Sequence, residues 1–87
     1  MIEKNAKVTV VSSKCDFYKP GDVVYFNGPL VDKERSANVC FAAMGAIFHF
    51  VYAVRKGLTA EDLGFDELVF QCPDCPEVVE FLIEPQE

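Results

Sequence analysis

Residues 39–57, VCFAAMGAIFHFVYAVRKG, form the longest apolar run in the chain and dictate much of what the rest must do. No proline interrupts the run, alanine and large apolar residues fill it, and Arg55, Lys56 and Gly57 end it with cations that match the helix dipole and a terminating glycine. The sequence predicts one helix over residues 37–56, capped by Ser36 or Asn38. At about 100° per residue, Cys40, Met44, Ile47, Val51 and Val54 share a face, flanked by Phe41, Phe48 and Tyr52 on one side and by Val39, Ala43 and Phe50 on the other. The remaining arc holds small residues, Ala42, Gly45, Ala46 and Ala53, with His49 among them. A membrane span needs about 20 apolar residues, and this run is too short and too interrupted to be one. It needs cover from the rest of the chain.

That cover is legible on both sides. KVTVVSS (residues 7–13) alternates and is β-branched, DVVYFNG (22–28) reads as a second strand, and Lys19-Pro20-Gly21-Asp22 between them is a turn. Beyond the helix, Thr59-Ala60-Glu61-Asp62 reads as a capped single turn. ELVFQ and EVVEFLIE then read as two more strands, the second with Val79, Phe81 and Ile83 inward and Glu80 and Glu84 outward. Pro73 and Pro76 cannot donate to a central ladder, so CPDCP is expected as the tip between them. The expected architecture is α+β, a single domain over residues 1–87 in the order ββαββ, with one central helix on an antiparallel four-stranded sheet. One such sheet covers one side of a helix. The apolar excess therefore predicts a homo-oligomer formed through the central helix.

Charge is distributed unevenly. Residues 1–56 carry a net +3 and residues 57–87 a net −9, with no Lys or Arg in the second part. Phosphate neutralisation needs a basic face, so nucleic-acid binding is not expected; an acidic hairpin suits a basic protein partner, or serves solubility. The N-terminal residues MIEKNAK show no targeting pattern, which points to the cytoplasm and to reduced thiols.

Four cysteines, Cys15, Cys40, Cys72 and Cys75, are the residues with the most chemistry to offer. Cys15 follows the first strand, Cys40 opens the helix where the dipole favours negative charge, and Cys72 and Cys75 form a Cys-x-x-Cys knuckle on the expected hairpin tip. In a ββαββ layout these places can meet at one end of the domain, and four thiolates are the ligand set shared by structural zinc and iron–sulfur clusters. The spacing matches no standard ribbon or ferredoxin run. Two other readings stay open: a dithiol redox protein using Cys72 and Cys75, and an interaction module whose thiols are incidental core residues. The Cys-x-x-Cys joins two strands, whereas the thioredoxin motif belongs at a strand-to-helix junction. Asp74 reads as a turn residue or an outer support for a metal, and His49 as an interface or surface residue rather than a base. The sequence contains no phosphate-cradling loop, nucleophile elbow or pair of carboxylates at catalytic spacing, so an enzyme acting alone is not expected.

The order KVTVVSSKC … KPGD, then VCFAAMGAIFHFVYAVRKG, then FQCPDCPEVVEFLIE resembles a family of small uncharacterised proteins of anaerobic bacteria and archaea. Its pattern runs strand-Cys, turn Gly, Cys-headed central helix ending in Gly, and a late Cys-Pro-Asp before a valine-rich strand. The resemblance covers nearly the whole chain and places Cys15, Gly21, Cys40, Gly57, Cys72, Pro73 and Asp74 on that pattern. The chain departs from it at His49, where the family usually has proline, and at Cys75, an additional cysteine. The resemblance thus implies three shared thiols and no assigned activity.

Overall fold

A computed structural model describes residues 5–71 and 79–86. Strands β1 (Ala6–Ser13), β2 (Val23–Asn27) and β3 (Leu30–Val31) precede the helix α1 (Phe41–Arg55); a 3₁₀ turn (Glu61–Leu63), β4 (Val69–Gln71) and β5 (Val79–Pro85) follow it. The strands form one antiparallel sheet in the order β3-β2-β1-β5-β4, with α1 packed on one face. The fold is therefore α+β, with one α-helix among the described residues, as the pattern predicts. The sheet has five strands rather than four, because Phe26 and Asn27 pair with Val31 and Leu30 within the stretch expected to be an irregular connection. Two residues are too few for alternation to show in a sequence. The expected tip at CPDCP, with Cys72, Asp74 and Cys75, lies outside the described residues.

Alternation decides which face of each strand is buried. Ala6, Val8 and Val10 of β1, Val24 of β2, and Val79, Phe81 and Ile83 of β5 meet Ala43, Ile47, Val51 and Val54 of α1 in one core. Burying each aliphatic side chain of this size contributes about 1.5–3 kcal/mol. Outward residues pair instead with solvent-side neighbours: the Ser12 hydroxyl donates to Glu80 at 2.7 Å, Lys7 reaches Glu84 at 3.9 Å, and the Arg35 guanidinium lies 3.9 Å from the Tyr25 ring centroid. The register shifts between Val10 and Ser12, leaving Val11 as the extra residue of a bulge on β1.

The turns follow local chemistry. Asp22 N–H donates to the Lys19 carbonyl at 3.0 Å, and Gly21 takes the positive φ of 95° that a Pro-Gly turn requires. Gly57, at φ 91°, ends the helix: its N–H donates to Val54 O, and Leu58 N–H donates to Ala53 O, which satisfies carbonyls the last turn would otherwise leave bare. Thr59 and Asp62 exchange side-chain-to-backbone bonds of 2.8 and 3.1 Å, the reciprocal box expected from TAED.

The helix starts later than its sequence suggests, at Phe41, and neither Ser36 nor Asn38 caps it. The Ser36 hydroxyl accepts from Tyr25 N–H and donates to Tyr25 O, fixing the connection to β2, and the Asn38 amide donates to Phe17 O at 3.0 Å. These tertiary bonds keep the chain extended as far as Cys40, which occupies the cap position with φ −88° and ψ 123° and makes no side-chain cap bond. One flank of α1 is covered, with the Phe50 ring stacked on Phe70 at 4.0 Å. On the opposite flank Phe48 and Tyr52 remain 58% and 50% exposed. No helix among the described residues is long and apolar enough to cross a membrane.

Candidate thiol site

β1 ends at Ser13, and the chain then folds tightly back before β2. The Ser13 hydroxyl organises this loop: its oxygen accepts the Cys15 N–H at 3.0 Å and lies 3.1 and 2.9 Å from the carbonyls of Cys15 and Tyr18, to either of which it can donate. Tyr18 N–H closes the loop onto Cys15 O at 3.3 Å. The Tyr18 ring turns inward, 4% exposed, and meets Phe81 edge-on at 5.4 Å. Its hydroxyl accepts the Cys40 N–H at 2.9 Å. One buried tyrosine thereby ties the loop carrying Cys15 to the residue that heads α1.

Cys15 and Cys40 are free thiols, half-buried and packed against the core. A hollow of about 340 Å³ opens beside Cys40, lined by Phe17, Asn38 and Val39. Ser13 pairs with Val79, and Ser12 and Gln71 both pair with Glu80, so the two thiols stand at the end of the sheet that also holds Gln71 and Val79. Gln71 and Val79 are the described residues that bracket the stretch containing Cys72 and Cys75. Among the described residues, no group of three or more His, Cys, Asp or Glu is arranged to hold a metal ion. His49 is not brought to this end. It is exposed, nine residues along from Cys40, roughly 13 Å of helical rise, and its ring contacts Phe48 at 5.4 Å.

A second hollow, about 240 Å³, lies at the far end between Val54, Leu58, Leu68 and Ile83, away from Cys15 and Cys40. Tyr18 and Ser13, which position the thiols, were not singled out by sequence reasoning. Ser13 is the polar end of an alternating segment and Tyr18 lies in a turn without a motif; the only signal is the pair of aromatic residues, Phe17 and Tyr18, in that turn. No family model, no curated protein and no solved structure matches the chain. Fold and site alone define its class: a helix-on-sheet α+β domain with two free thiols, Cys15 and Cys40, towards one end.

Proposed function

We propose that this chain is a small metal-binding or iron–sulfur protein with an accessory or electron-transfer role, in which Cys15 and Cys40 are ligands together with Cys72 and Cys75 of the sequence. The observation that carries this reading is the Tyr18 tie, which brings Cys15 and Cys40 to the sheet end bearing Gln71 and Val79. Thiolates suit zinc, with Zn–S bonds of about 2.3 Å, and iron–sulfur clusters alike. Cys15, Cys40 and Cys72 are also the thiols implied by the family resemblance. Reduced thiols fit a cytoplasmic setting. The acidic second part of the chain, which includes Glu61, Asp62, Asp66, Glu67, Glu80 and Glu84, fits docking onto a basic protein.

Anaerobic purification followed by metal analysis and a visible spectrum tests the proposal. A brown protein identifies a cluster, and a colourless one with stoichiometric zinc identifies a structural site; Cys15→Ser or Cys40→Ser should reduce either content. Protein that is metal-free as isolated, and takes up neither zinc nor a reconstituted cluster, overturns it. A second reading, an assembly module with incidental thiols, is favoured by the open flank of α1 bearing Phe48 and Tyr52.

A further inference from the structure

Gly45 lies inside α1, where glycine is the poorest helix former after proline. Its own chain gives no reason for it: the residue is exposed, and a Cβ placed there would meet no atom within 4 Å. Two turns further along, Tyr52 is half-exposed and stacks on the still more exposed Phe48, centroids 6.3 Å apart. A hollow and a projection thus stand about equally far from the helix midpoint, on either side of it. We propose that this face pairs with the same face of a second copy, the two helices antiparallel about a two-fold axis between Phe48 and His49, so that each Tyr52 covers the partner copy's Gly45.

One feature favours a second copy over another occupant, and two more bear on how the copies pair. A two-fold fills both hollows with one operation, because the sites that must meet are related by reflection of residue number about the axis. A missing side chain lets helix axes approach within the usual 8–10 Å without displacing anything. α1 itself contains no acid, and the cations of Arg55 and Lys56 at its end face the Tyr52 ring at 6.0 and 5.4 Å. Antiparallel pairing keeps the two Arg55 residues roughly 20 Å apart along the axis, whereas parallel pairing would bring them together. The helix face alone, about 22 Å by 10 Å, is smaller than a standard interface, so the adjoining β2–β3 turn with Pro29 and the 70% exposed Leu30 must contribute. This dimer is independent of whether the thiols hold a metal.

Sedimentation of the full chain from about 5 to 500 µM should show a reversible monomer–dimer equilibrium with a micromolar dissociation constant. Gly45→Gln should raise that constant at least about tenfold while raising the thermal midpoint of the dilute monomer, since it restores helix propensity and meets nothing within its own chain. Tyr52→Ala should weaken association similarly. Combining Tyr52→Ala with Gly45→Gln should weaken it less than the two losses together, because both act on one contact. A wild-type monomer throughout the range, or Gly45→Gln associating as wild type does, overturns the dimer. Strictly additive losses in the double variant overturn the register.

Discussion

Tyr18 joins two parts of the chain that share no secondary structure, and each half of the residue has its own task. The ring fills the core beside Phe81, and the hydroxyl accepts the amide at the head of α1, one of the donors a helix start leaves without an intrahelical partner. Tyr18→Phe keeps the first role and removes the second. It should cost about 0.5–1.5 kcal/mol in urea unfolding and speed hydrogen exchange at the Cys40 amide. An unchanged Cys40 exchange rate would mean the tie does not hold the helix start. The half-exposed Lys7–Glu84 pair contrasts with this bond, since solvent screening leaves such pairs about 0–1 kcal/mol at most.

Among the elements, β5 is the one on which the others depend. It pairs with β1 along nearly its whole length and with β4 on its other side, and it presents Val79, Phe81 and Ile83 to the core. Phe81 is fully buried against Tyr18. Phe81→Ala should therefore cost about 3–5 kcal/mol, a large share of the roughly 5–15 kcal/mol total of an ordinary domain. Chemical denaturation measures this directly; a loss below about 1 kcal/mol would mean that the cavity collapses or that β5 is packed elsewhere. α1 depends on β5 in turn, since the three inward β5 side chains lie in the same core as Ala43, Ile47, Val51 and Val54. Its late start is also an element-level effect, because β2 and the loop before it bond Ser36 and Asn38.

At the scale of the whole molecule, the first and last strands are neighbours in the middle of the sheet. The Ser12–Glu80 bond spans 68 residues of sequence, and the Gln86 amide reaches back to the carbonyls of Ala6 and Phe26. Such closure must precede most of the packing that rewards it, so folding should be slow for a chain this short, in the millisecond-to-second range. Stopped-flow refolding tests this, and complete folding within microseconds would contradict the central β1–β5 pairing. The same topology carries the thiols to one end. β1 finishes where β5 begins, and α1 starts above that end because the connection from β3 returns along β2.

The alternation in KVTVVSS and EVVEFLIE, the apolar run of the helix and the Pro-Gly and Lys-Gly signals determined by themselves four strands, the helix, the turn at Gly21, the helix end at Gly57 and the inward set Val79, Phe81 and Ile83. Those features are local: steric preference and a period of two or 3.6 act within a few residues, so one sequence suffices to show them. The fifth strand, the bulge at Val11, the helix start at Phe41 and the role of Tyr18 were decided only by tertiary structure. The fifth strand is a local hairpin too short for alternation to show, whereas the bulge, the helix start and the role of Tyr18 depend on contacts between residues distant in sequence, such as Ser36 with Tyr25, Asn38 with Phe17 and Tyr18 with Cys40. For the candidate site, the cysteines themselves were visible in the sequence. That Cys15 and Cys40 can come to one end was expected from the layout of the elements; the bond that ties the Cys15 loop to the head of α1 was not, because it is one tyrosine hydroxyl accepting an amide 22 residues away.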